Sequence, residues 1–200
     1  ASVLTEDLKS IVIKPSGVPF EKLTKNNLSV IDLHSGHNVN GLKESVDTPI
    51  HLEMYRNIKG IKSIIHTHSK FATAWAQAQC SIPILGTTHA DYFRSDIPVL
   101  DNLKNDELVD YEHNLGKQIV NSYNSRLNSL ENSAILIPGH GSVVFTDSVE
   151  KTLECAIVLE EIAELAYYTV NIPGCINKSN KNLFQKHYQR KNSINRYYGQ

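Results

Sequence analysis

Residues 63–71 read SIIHTHSKF, a short apolar run that ends in two histidines one residue apart. Side chains of an extended chain alternate between faces, so His66 and His68 project to one side of a strand and Thr67 to the other. The following SKFATAWAQAQ, residues 69–79, is rich in alanine and reads as a helix. Two imidazoles on one face can share a metal ion, although a lone His-X-His is more often a strand cap with an ordinary hydrogen bond.

On the N-terminal side, SIVIKPSG (10–17) is a β-branched strand ending in a Pro-Ser-Gly turn, and LSVIDLHSGHNVNG (28–41) is a strand followed by turn residues. DTPIHLEMYRNI (47–58) predicts a helix with Thr48 as N-cap, Pro49 as first helical residue and Ile50, Met54 and Ile58 along one face. On the C-terminal side lie two short apolar segments, SIPILGTTH (81–89) and DIPVL (96–100). Leu108, Leu115, Ile119 and Tyr123 recur at helical spacing between Asp106 and Leu127, SAILIPGHGSVVF (133–145) predicts two strands around a glycine-flanked turn, and a helix runs from about Asp147 to Val170. Strands and helices alternate irregularly without a repeat or a linker, which indicates one domain of the α/β or α+β class built around one sheet.

Two hundred residues, 40% of them hydrophobic, are ample for one core. Twenty basic and 21 acidic side chains give a formal net charge of -1, so no basic footprint points to nucleic acid or an anionic membrane, and a small-molecule or protein partner is expected. Cys80, Cys155 and Cys175 are odd in number and widely spaced, as befits reduced thiols in a cytoplasmic protein, and each is expected to be a small buried hydrophobe. Glu160, Glu161 and Glu164 interrupt the longest apolar stretch, so no membrane span is expected. The first residue is alanine, which leaves room for processing or loss of an N-terminal piece.

A third histidine, His140, sits between Gly139 and Gly141 in PGHGSV, where small neighbours allow close approach of a ligand. Three neutral imidazoles with an open fourth position suit a catalytic divalent ion, zinc above all. Asp47 is the available carboxylate; capping the next helix is its ordinary alternative.

Together, IKPSG (13–17), DTPIH (47–51), HTHS (66–69), GTTHADYF (86–93), His140-Gly141, IVLEEIA (157–163) and the ending KHYQRKNSINRYYGQ resemble the epimerases of the class II aldolase/epimerase family, in the same order and over essentially the whole chain. The resemblance implies a single domain over residues 1–200, with a central, mainly antiparallel sheet flanked by helices. It also implies a homotetramer with fourfold symmetry whose active sites lie at subunit interfaces and hold zinc, with manganese as the alternative. Carried over by position, His66, His68 and His140 are the implied metal ligands and Asp47 the carboxylate beside the metal. Asp91 and Tyr198 are the implied acid/base pair, Tyr198 coming from a neighbouring subunit, and His187 is a further active-site residue in the tail. Without the resemblance, Asp91 reads as a turn cap, Tyr198 as an anchor of the chain end and the tail as a solvated basic helix face. For substrate phosphate, the resemblance points to Ser16, Gly17 and Ser45, although KPSG also reads as a plain proline turn.

The implied reaction is metal-dependent epimerisation at C4 of L-ribulose 5-phosphate to D-xylulose 5-phosphate, in pentose catabolism from arabinose or ascorbate. C4 carries no acidic hydrogen, so the C3–C4 bond must break and re-form. A Lewis acid then stabilises the ketone-bearing fragment, and two proton-transfer groups stand on opposite faces. The chain departs from the family pattern in three places. It starts where a Gly-Asn loop would end, which predicts that the family's N-terminal helix and loop are lacking; Val46 replaces a second serine; and PGHG replaces His-Ser-His-Gly. The alternatives are a class II sugar-phosphate aldolase and a non-catalytic or incomplete paralogue.

Overall fold

The computed structural model describes residues 1–127, 129–174, 180–193 and 196–197. Its strands are β1 (Ser2–Leu4), β2 (Ser10–Ile13), β3 (Ser29–Asp32), β4 (Asn38–Asn40), β5 (Ser63–Thr67), β6 (Ala134–Ile137) and β7 (Gly141–Thr146). Its helices are α1 (Thr48–Asn57), α2 (Lys70–Gln77), α3 (Thr87–Tyr92), α4 (Tyr111–Ser122), α5 (Val149–Val170) and α6 (Lys181–Asn192). The seven strands form one sheet in the order β4-β3-β2-β1-β5-β7-β6. The β4–β3, β3–β2, β2–β1, β1–β5 and β7–β6 pairings are antiparallel, as the family resemblance implies.

The chain forms two compact units, Ala1–Ile65 with Asn102–Asn128 and Phe145–Thr152, and His66–Asp101 with Ser129–Val144 and Leu153–Gln200. Strands β5 and β7 each contribute to both. In the first unit, β2 alternates as the pleat requires, burying Ile11 and Ile13, while β3 buries Ser29 and Ile31. Ile50, Met54 and Ile58 line the buried face of α1, which packs against α4 through Leu115 and Ile119 on the latter. Helix α1 starts one residue earlier than the sequence indicates. Asp47 is the N-cap and Thr48 is already helical, because the Thr48 amide and hydroxyl both bond back to the Ser45 carbonyl. Leu108 also departs from expectation: it lies in a 3-10 turn, Glu107–Asp110, ahead of α4 and is exposed.

In the second unit, α5 buries Cys155, Leu159, Ile162, Ala163 and Ala166 at helical spacing against Ala72 and Ala76 of α2, Phe93, Ile97 and strands β6 and β7. Cys155 is therefore the buried thiol expected, whereas Cys80, just beyond α2, is exposed, and Cys175 lies outside the described residues. The GTTHADYF stretch forms α3, a short helix that SIPILGTTH did not signal because it offers little more than one turn of periodicity.

Strands β6 and β7 are buried along their whole length and are joined by Pro138-Gly139-His140. Gly139 has φ +66°, the left-handed conformation that glycine adopts without steric cost. Gly141 has no room for a side chain, since a Cβ there would collide with the Thr67 carbonyl and lie 2.9 Å from His68 Cδ2. Gly141→Ala is expected to lower stability by at least about 2 kcal/mol, because the obstacle is backbone rather than a movable side-chain end. Urea unfolding followed by Trp75 fluorescence checks this.

Candidate metal centre and its surroundings

The end of β5 and the β6–β7 turn bring His66, His68 and His140 together. Their ring centroids are 4.9, 4.8 and 4.7 Å apart, nearly an equilateral triangle, and their ligand nitrogens lie within 4.8 Å of one another. His66 Nδ1 lies 2.9 Å from the Ser142 carbonyl, which can only accept, so this nitrogen carries the proton and donates it. In the neutral ring, the lone pair is then on Nε2, which faces His68 Nε2 at 3.1 Å. Zinc held tetrahedrally at about 2.0–2.1 Å places neighbouring ligand nitrogens about 3.3 Å apart, close to the 3.1 Å between His66 Nε2 and His68 Nε2. Backbone fixation of the far nitrogen is also the arrangement that orients metal-bound histidines. His68 is exposed while His66 and His140 are half-buried, leaving an open side of the kind that catalytic centres keep.

Asp47 is not part of this group of ligands and belongs to the first unit. Its carboxylate makes no capping bond to α1 and accepts instead from the Ser45 hydroxyl at 3.4 Å. Asp47 therefore holds the N-cap position through its backbone, whose carbonyl accepts the His51 amide, and its side chain makes no capping bond. Ser16 and Gly17 are brought next to this turn, because Pro15 pairs with Glu44 and the Ser16 amide donates to the Lys43 carbonyl at 2.9 Å. Gly17 turns the chain at φ +70°. A cavity of about 380 Å³ in the same unit is lined by Lys43, Glu44, Ser45, Thr48, Arg56 and His113, among others, so that Lys43 and Arg56 offer cationic groups beside the Glu44 carboxylate.

Asp91, in the last turn of α3, is buried and is held by α6. Arg190 reaches it with two prongs, Nε to Oδ1 at 3.2 Å and Nη2 to Oδ2 at 3.1 Å. His187 Nδ1 lies 3.2 Å from Oδ1, and the Asn192 amide donates to the Asp91 carbonyl at 2.9 Å. The turn-capping alternative for Asp91 is thus replaced by an ion pair between helices. The basic tail is only partly a solvated face: Lys186 and Arg196 are exposed, but Phe184, His187 and Arg190 turn inward, and Lys191 places its ammonium over the Tyr92 ring and 3.2 Å from Glu154. The role of Arg190 was missed. Its only signal was its spacing three residues after His187, which puts both on one helix face. Tyr198 lies outside the described residues.

His89, also on α3, is buried, and its Nε2–H donates to the Ser95 carbonyl at 3.0 Å. Burial, which disfavours the charged ring, pushes its pKa down to about 4 from 6.5. The unfolded chain therefore binds the extra proton between pH 6.5 and 4, and the folded chain does not. Stability from this group is complete above pH 6.5 and declines by up to about 3 kcal/mol as the pH falls to 4. Denaturation midpoints at pH 7, 5.5 and 4.5 are expected to drop in that order and to drop less steeply in His89→Gln. Separately, His140→Ala is expected to lower bound zinc to well under one equivalent, measured by metal analysis after dialysis.

Residues 1–167 match the Class II Aldolase and Adducin N-terminal domain family. The chain is 42% identical over 203 residues to a Mycoplasma pneumoniae protein named "Probable L-ribulose-5-phosphate 4-epimerase UlaF", an alignment that covers 100% of this chain and 84% of the relative. Among solved structures, L-fuculose 1-phosphate aldolase from Glaciozyma antarctica PI12 superposes with a TM-score of 0.75 at 16% identity, covering 94% of this chain and 70% of that one. The L-fuculose-1-phosphate aldolase of Thermus thermophilus gives 0.68 at 23% identity, covering 87% and 85%. Identities this low bear on the fold alone.

Proposed function

Because the chain belongs to the class II aldolase and adducin family, we propose that it epimerises L-ribulose 5-phosphate at C4 to D-xylulose 5-phosphate by metal-dependent retro-aldol cleavage and re-addition. The observation that carries this reading is the convergence of His66, His68 and His140, with His66 locked by the Ser142 carbonyl into the tautomer a ligand needs. The name of the Mycoplasma pneumoniae relative supports the substrate.

When bound at the three histidines, a divalent ion, zinc or manganese, supplies the Lewis acidity that stabilises negative charge on the ketone-bearing fragment after the C3–C4 bond breaks. The chain's own groups do the rest. Asp47, whose side chain makes no capping bond to its helix, serves as the carboxylate of the metal centre. The hydroxyls of Ser16 and Ser45 and the turn at Gly17 receive the phosphate, with the cationic lining beside Ser45 in support. Inversion presents the C4 oxygen on opposite sides before and after the aldehyde fragment rotates, so proton transfer needs two groups on opposite faces. Asp91 is one, oriented by His187 and Arg190, and Tyr198 of a neighbouring subunit in a homotetramer is the other.

The test is conversion of L-ribulose 5-phosphate to D-xylulose 5-phosphate by the purified protein, followed by NMR with and without added zinc or manganese. Metal-dependent interconversion is expected. Folded, metal-loaded protein that only cleaves a sugar phosphate would identify an aldolase instead, and one with no activity would overturn the catalytic reading. Asp91→Asn is expected to keep its metal and lose about 100-fold or more in turnover. Wild-type kinetics in that variant would leave Asp91 as an anchor of α6 only. Mixed Asp91→Asn and Tyr198→Phe subunits are expected to regain part of the activity, and no gain after verified exchange would remove the shared-site assignment.

A further inference from the structure

All three histidines are tied to one short helix, and that helix is held by a residue with no place in the site described above. β5 ends at His66 and Thr67, and His68 alone links it to Ser69, the N-cap of α2, whose side chain makes no capping hydrogen bond. The amides behind it are taken by a single carboxylate 88 and 89 positions away in sequence. Phe71 N–H donates to Glu160 Oε1 at 2.7 Å, and Ala72 N–H donates to Oε2 at 3.0 Å. At the opposite end of α2, the Ala76 carbonyl accepts the Gly139 amide at 3.0 Å, one residue before His140. Helix α2 is thus a bracket whose first turn follows two of the histidines and whose last turn fixes the third. Trp75 seats the bracket on α5 by donating Nε1–H to the Ala163 carbonyl at 3.0 Å.

We propose that Glu160 is a positioning residue for the three-histidine centre. By closing the first turn of α2, it fixes where His68 leaves β5, and through α2 it fixes the turn that carries His140. The energetics favour a carboxylate here, since both of its oxygens accept charge-assisted bonds from amides with no partner inside the helix, at the positive end of the helix dipole. An eight-residue helix has little else to stop its first turn from fraying, and fraying there begins beside His68. The proposal rests on the metal reading of the histidines. It differs from a merely structural cap in what it predicts: loss of a structural cap lowers stability and leaves the folded site as it was, whereas loss of a positioning residue changes the site in protein that is still folded.

The experiment uses Glu160→Gln, which keeps length and removes charge, and Glu160→Asp, which keeps charge and removes one methylene. Leu159→Val, which thins the packing of the same helix without touching α2's amides, is the control. Zinc affinity is measured by competition with a chromophoric chelator, and the visible absorption of the cobalt-loaded proteins is recorded. Both are done at a temperature where the fluorescence of Trp75, the single tryptophan, reports folded protein. Glu160→Gln is expected to bind zinc about tenfold more weakly and to alter the cobalt spectrum. Glu160→Asp should fall between it and the wild type, and Leu159→Val should lose stability but keep wild-type affinity and spectrum. Folded Glu160 variants with wild-type affinity and spectrum would overturn the proposal, as would an equal loss of affinity in Leu159→Val. A wild-type protein that takes up neither zinc nor cobalt would instead overturn the metal reading itself.

Discussion

The close approach of two backbones at the end of β5 governs the rest of the site. Gly141 lies against the carbonyl of Thr67 with no space for a side chain, and one residue further on the Ser142 carbonyl takes the proton of His66 Nδ1. Both contacts require β5 and β7 to meet without a side chain between them. Once they do, the strand pleat puts His66 and His68 on one side, and the hairpin before β7 swings His140 to the same side. The burial of β6 and β7 on both faces keeps this geometry stiff, since close-packed side chains on either side of the strands resist displacement.

Around that rigid centre, the polar groups of the second unit serve mainly to hold helices to one another. Asp91 joins α3 to α6 through Arg190 and His187, and Lys191 adds a cation over Tyr92 with Glu154 beside it. A buried carboxylate with a two-pronged arginine partner is well positioned but costly to disturb, because removal of one partner leaves the other charge uncompensated. The same contacts that hold the Asp91 carboxylate therefore also make α6 part of the folded unit. In the proposed reaction this one side chain would serve both chemistry and the docking of α6, and substitutions that keep its shape separate the two.

Much of the architecture was legible from periodicity. Alternating isoleucines marked β2, Ile50, Met54 and Ile58 marked α1, and the stripe from Cys155 to Ala166 lies on the helix expected between Asp147 and Val170. Helix α3 was not legible, because six residues do not establish a period, and Leu108 was misplaced because a 3-10 turn breaks the α-helical phase before α4 begins. Cys80 was expected inside on the strength of residue type alone and lies outside, just past the C-terminal end of α2.

The sequence by itself determined that His66 and His68 share a face, that glycines flank His140, and that the charge balance offers no footprint for nucleic acid. These are consequences of local covalent geometry and composition, which act over a few residues. Only the tertiary structure decided that His140 completes a triangle with the other two, that Arg190 grips Asp91, and that Glu160 closes the first turn of α2. Each of these joins residues about 70 to 100 positions apart. No local rule ranks such pairings, because their energy exists only when packing has already brought the partners within hydrogen-bond reach and removed the water that would otherwise satisfy them.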